Sequence, residues 1–161
     1  MNRRPPFRHV RLSRRVQWLA IAVIAVVATA VAWYLASPLF IVTRGNEAPP
    51  SGFTTVVASG SFVDGEPGHR ASGRAEVLSD GSAYIVRASA FSVTNGPDIH
   101  LFLAKGPRVT AGDVDLGSVK VTEGSANYAV PTSVDPRGFA YVVIWCVPFS
   151  VQFGYAALTF P

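Results

Sequence analysis

The sequence predicts an all-β domain, an antiparallel β-sandwich or small barrel of about seven or eight strands, preceded by one N-terminal transmembrane helix. Three observations predict it. Residues 16–43 contain no charged side chain. Beyond that run, no window shows sustained apolar spacing at 3.6 residues. In its place come short β-branched and aromatic segments, broken by Gly, Pro, Asn and Asp every 8–12 residues.

Taken in order, residues 1–15 hold six arginines and no acid, and read as a basic cytoplasmic tail. Residues 16–36 are almost wholly Ala, Val, Ile and Leu, with Trp18, Trp33 and Tyr34 near the ends where interfacial aromatics sit. At about 1.5 Å per residue the run reaches roughly 31 Å, enough for a hydrocarbon core of about 30 Å. It reads as a signal anchor, because a cleaved signal peptide has an apolar stretch of only about 7–15 residues. Ala30-Val31-Ala32 keeps cleavage open as the alternative. The arginine bias places the N-terminus in the cytoplasm and the β-domain outside, at the cell membrane. Residues 37–51 are polar and Pro-rich towards their end and read as a stalk.

Residues 52–161 then form one β-domain, long enough for a single core. Strands are expected at 53–63, 74–79, 82–91, 98–103, 116–121, 127–130, 139–146 and 155–160. Asp80-Gly81 reads as a two-residue hairpin turn. In 98–103, Ile99, Leu101 and Leu103 share one face while His100 and Phe102 share the other. Segment 139–146 is apolar on both faces, so alternation leaves the direction of Cys146 open.

Charge and motifs exclude several functions. The net charge of +4 comes from the tail; after Phe40 there are eight Lys/Arg against ten Asp/Glu, a net of −2. A nucleic-acid-binding domain would be basic by itself, so nucleic acid is not an expected partner. No nucleophile–base motif, zincin motif or phosphate-binding glycine loop occurs. No metal site is expected, since no His pair has zinc spacing and Asp113-Val114-Asp115 lacks the Gly and Glu of a calcium loop, reading instead as an exposed acidic turn. His100 reads as a surface histidine.

The chain's single cysteine, Cys146, cannot close an internal disulfide. Free cysteines usually pack as small buried hydrophobes. Outside the cytoplasm, however, a leftover cysteine signals a reactive thiol, an intermolecular partner or a soft ligand for iron or copper. Both readings stand on the residues alone. Trp145 and Phe149 are expected to wall the thiol, and Pro148 to end the strand just after it and expose the sulfur.

Several short pieces, read in order, resemble the DM13 domain family: Gly60-Ser61-Phe62, His69 with Gly73, Phe91 leading to Asn95-Gly96-Pro97-Asp98, and the strand 99–103. Leu116-Gly117, Gly124 with Tyr128 and Pro131, and Val143-Ile144-Trp145-Cys146 with Phe149 and Phe153-Gly154 continue the likeness across about 52–160. The resemblance implies a small β-rich extracytoplasmic module, a redox or electron-transfer accessory acting through Cys146 as bare thiol or as a prosthetic-group ligand, haem included. By family position His69 is the companion candidate for cofactor binding, with Arg70 beside it as a cation to lower the thiol pKa. The resemblance implies a redox partner in the membrane or envelope. Absence of C-x-x-C-H argues against covalent haem attachment. The other reading, from a different class, is a structural or ligand-binding β-domain of the envelope in which Cys146 is an inert core residue.

Overall fold

A computed structural model describes residues 13–37 and 42–161. The tail reading for 1–15 lies outside the described residues up to position 12, and positions 38–41 of the 37–51 segment do so as well. The chain divides into two units, residues 1–37 and 38–161. The first contains α1 (Arg14–Ala36). Ser13 caps it by accepting from the Val16 N–H, and its span Arg14–Tyr34 has a mean hydropathy of 2.1 with none of it buried. The helix is long and apolar enough to cross a membrane.

The second unit is a nine-stranded sheet that curls into a half-barrel. Its strands are β1 (Arg44–Asn46), β2 (Thr55–Asp64), β3 (Ala71–Ser79), β4 (Tyr84–Val93) and β5 (Ile99–Ala104). After these come β6 (Val114–Ser118), β7 (Glu123–Ala129), β8 (Tyr141–Cys146) and β9 (Val151–Ala157). The spatial order is β1-β7-β4-β3-β2-β9-β8-β5-β6, antiparallel except where β1 joins β7. The curl originates in β2. Its first part, to Ser61, pairs with β3, whereas Phe62–Asp64 pair with β9. Gly60 sits at the changeover, where any Cβ would overlap the Ala157 carbonyl, so only glycine lets the strands approach there.

Curling puts the inward faces of the two halves around one core. Val77, Val86, Ala88, Ala126 and Tyr128 from one half pack with Leu101, Leu103, Val142, Ile144, Cys146 and Phe153 from the other. A smaller cluster, Ala104, Val143 and Trp145 with Phe102, Val109, Tyr141 and Tyr155, covers the opposite face of β8. This is why 139–146 reads as apolar on both faces.

Three details depart from expectation. Arg44–Asn46 forms an edge strand on β7, held by Thr122 N–H to Thr43 O at 2.8 Å and an Arg44–Glu123 ion pair at 2.8 Å. Glu47 extends the attachment by accepting from the Asn127 amide at 2.8 Å. The β3–β4 connection is four residues long, because the Asp80 carboxylate gathers the Ser82 and Ala83 amides, each at 2.8 Å, in place of a two-residue turn. The last strand begins at Val151, four positions before the expected start. There Ile144 pairs with Gly154 but Trp145 with Gln152, leaving Phe153 as a bulge that turns its ring into the core.

Candidate functional site

Cys146 closes β8, opposite Ile99 of β5 and Val151 of β9. It is 1% exposed and belongs to the inner core, on the same side as Val142 and Ile144. Its S–H donates to the Pro97 carbonyl at 3.0 Å. The next residue along, Val147, donates its amide to the Asp98 carbonyl at 3.1 Å. The dipeptide Pro97–Asp98 is thus fastened across the end of β8 by two bonds, one of them from the thiol itself. Burial raises the thiol pKa; the Phe149 amide, directed at the sulfur, opposes this, and the Asp98 carboxylate adds to it.

The strand ends after Cys146 as Pro148 leads one to expect, but the sulfur is not exposed, because Pro97–Asp98 takes the place of the missing strand continuation. Neither expected wall is where the sequence suggests. Trp145 points to the opposite face, beneath the Arg108 guanidinium at 5.5 Å, and Phe149 is 66% exposed at the tip of the β8–β9 turn.

His69 stacks on Phe153, ring centroids 3.9 Å apart, and its Nδ1 is buried without a hydrogen-bond partner. Gly96 lies against the same ring; an added Cβ would meet Phe153 Cζ at 2.5 Å. His69 and Cys146 therefore attach to neighbouring parts of the 95–98 segment, through Phe153 and Pro97, and among the described residues no hydrogen bond joins them. Arg70 is exposed and binds Thr94 through its backbone, its amide to Thr94 Oγ1 at 2.9 Å. The groups that set the Cys146 pKa include no cation.

A haem held by Cys146 and His69 does not fit these residues. The sulfur is 1% exposed with its hydrogen held on a carbonyl, and the cleft beside the segment, lined by neither Cys146 nor His69, has a volume of about 260 Å³. That is below the roughly 300–1,000 Å³ of ordinary small-molecule sites. Asn95, Gly96, Asp98 and Ile99 line this cleft together with Ser118 and Val119; Cys146 does not.

The residues that sequence reasoning missed stand at the other end of Asp98. Its carboxylate lies 3.0 Å from His100 Nε2, while Asp115 of β6 lies 2.8 Å from His100 Nδ1. Ser118 Oγ is 3.1 Å from the same Nε2, and the Gly117 amide donates to Asp115 at 2.7 Å. Ser118, His100 and Asp115 have the connectivity of a hydrolytic triad, but Asp98 occupies the nitrogen that would act as base. Burial lowers the His100 pKa, and the bonds and charges of Asp115 and Asp98 outweigh it, so the net shift is upward. With a carboxylate at each ring nitrogen His100 is held as a clamp, and in its protonated form it cannot deprotonate serine. Asp98-x-His100 was half a signal, a carboxylate two residues before a histidine; the turn at Asp98, with φ +51°, brings that carboxylate to the ring. Asp113 and Asp115 divide their work: the first caps the 105–113 loop through the Lys105 and Thr110 amides, and the second holds His100.

The family model described as "Electron transfer DM13" matches residues 61–158, which contain every residue of this site. The chain belongs to the DM13 family. No curated protein and no solved structure matches it. Within this DM13 domain, Cys146 is the sole cysteine of the chain and is free.

Proposed function

We propose that this DM13 protein is a membrane-tethered, extracytoplasmic electron-transfer accessory whose redox group is the bare thiol of Cys146. The family's description and the apolar α1 preceded by arginines support the setting. The observation that carries the chemistry is the placement of the thiol at a strand end, where the Pro97–Asp98 segment lies across it and takes its hydrogen. A cover of that size can lift without unfolding the sheet.

The step we assign is thiol–disulfide exchange with a disulfide-bearing envelope partner. Cys146 sulfur attacks one sulfur of the partner disulfide, forming a new S–S bond as the old one breaks. The thiol proton ends on the departing sulfur. Cys146 is oxidised to the mixed disulfide and the partner sulfur is reduced to a thiol. One cysteine suffices for this half of the exchange, and no cofactor enters it.

A second reading, a structural or ligand-binding envelope domain with Cys146 an inert core residue, draws on the 1% exposure and the raised pKa. Incubating the folded full chain in detergent with glutathione disulfide, followed by mass measurement of the intact protein, separates the two. Stoichiometric mixed disulfide below the unfolding transition is the expected result. Modification that begins only as the domain unfolds supports the inert reading and removes the redox one.

A further inference from the structure

We propose that Pro97–Asp98 is a latch over Cys146 and that His100, clamped between Asp98 and Asp115, holds it shut until the imidazolium loses its proton. This deepens the redox reading, for it names how access to the same thiol is regulated. The latch touches the site at three points. Pro97 takes the thiol hydrogen, the Asp98 carbonyl takes the Val147 amide, and the Asp98 side chain reaches back to His100. His100 is in turn fixed by Asp115 on β6, which pairs with β5. The bonds to the Pro97 and Asp98 carbonyls are neutral and modest; the pair with His100 adds a charge-assisted tie, tempered by the 53% exposure of the Asp98 side chain.

Among the described residues, the carboxylates recorded at His100 are those of Asp98 and Asp115. From β6 it faces Asp115 and Ser118, from its own strand and the preceding loop Phe102 and Asp98, and from β8 the uncharged Trp145. When His100 is neutral, one ring nitrogen still donates but the other can only accept. Asp115 retains its bond, being also anchored by the Gly117 amide, and Asp98 is the arm that loses its donor. The released carboxylate then turns to water at the rim of the cleft that Asp98 and Ser118 line. His100 and Asp115 are on this account positioning residues for the thiol, which neither touches.

Because Cys146 is the only thiol in the chain, its alkylation reports the latch directly. The rate with iodoacetamide is measured on the full chain in detergent across the pH range. Each rate is divided into that of the denatured chain at the same pH to give a protection factor. Protection should fall as the pH rises through the His100 transition. In His100→Gln and Asp115→Asn it should already be low at pH 6, by about fivefold, the loss of roughly one charged hydrogen bond at a half-exposed carboxylate. Asp115→Asn matters because Asp115 is not among the groups that set the thiol pKa, so its effect cannot arise from charge on the sulfur. Glu123→Gln, which breaks the exposed pair with Arg44, should leave protection unchanged. Low urea separates local from global opening: a latch gives a protection factor nearly independent of urea, whereas global unfolding follows the full denaturant slope. The proposal is overturned if both variants keep wild-type protection within about twofold at pH 6, or if every opening carries the global slope. Wild-type protection in both variants removes the His100 tie and leaves the glutathione test standing. Alkylation that stays independent of urea while glutathione fails to react removes the redox reading and leaves the latch. Openings that all carry the global slope remove both.

Discussion

Replacing Cys146 by serine and by alanine tests whether the thiol is held by a hydrogen bond or merely packed. The sulfur is 1% exposed and donates to the Pro97 carbonyl at 3.0 Å. Serine loses the polarisable sulfur but keeps a donor aimed at the same carbonyl. Its cost therefore falls near the low end of the range for burying a hydroxyl, about 1 kcal/mol. Alanine removes roughly 20 Å³ at about 24 cal/mol per Å³, or about 0.5 kcal/mol. It also strands the covered Pro97 carbonyl, at about 1–3 kcal/mol. The expected order of stability is wild type, then serine, then alanine, with about 1 kcal/mol between the two variants. For a domain of this size that gap is about 3–5 °C in Tm. Urea midpoints of the full chains at pH 6 supply the assay, with equal slopes required for a direct comparison. In an apolar slot without an acceptor the order reverses, because serine would then be the one burying an unpaired polar group. An alanine variant at least as stable as the serine one would refute the Pro97 bond, and with it the cover that the site depends on.

Three further outcomes follow from the same geometry. Gly124 has φ +121° and its missing Cβ would overlap the Gly45 carbonyl, so Gly124→Ala should cost about 1–3 kcal/mol; a drop in Tm below about 2 °C would contradict the β1–β7 pairing. The folded-state pKa of His100 lies above its ordinary 6.5. Its contribution to stability is therefore complete below about pH 6.5 and lost as the pH rises through the folded value, a decline that thermal unfolding should show in the wild type and lack in His100→Gln. For topology, Ser133→Cys places a second thiol on an exposed turn, whereas Asp80 is occupied with the β3–β4 turn. A membrane-impermeant maleimide should label it in intact cells, and labelling only after lysis would reverse the proposed orientation.

The residues explain what could be read in advance. Strand β5 was legible because Asn95-Gly96-Pro97 and Lys105-Gly106-Pro107 fence it and its alternation matches the buried positions Ile99, Leu101 and Leu103. β1 was not, since Arg44-Gly45-Asn46 has no strand pattern and exists as a strand only because β7 offers it an edge. The start of β9 was hidden by Phe153: its bulge makes Gln152, Phe153 and Gly154 buried in succession, erasing the two-residue period. Cys146 was legible as a candidate and its direction was not, because clusters on both faces of β8 give the strand one apolar signature. The His100 clamp depends on the register of β5 against β6, itself shifted by an irregularity between His100 and Phe102. No local pattern encodes that register.

A raised thiol pKa looks at first like evidence against exchange chemistry, and at rest it is. The consequence differs once the cover lifts. Opening restores water to the sulfur, removing the burial that raises the pKa, so the thiolate forms in the state in which it can be reached. While closed, the S–H is held on Pro97 and shielded from oxidants. A low-pKa thiolate in the same position would be open to irreversible oxidation whenever no partner was bound. On the proposed reading, protection and reactivity reside in one movement of two residues, and the tie at His100, not the thiol, is the place to look for control.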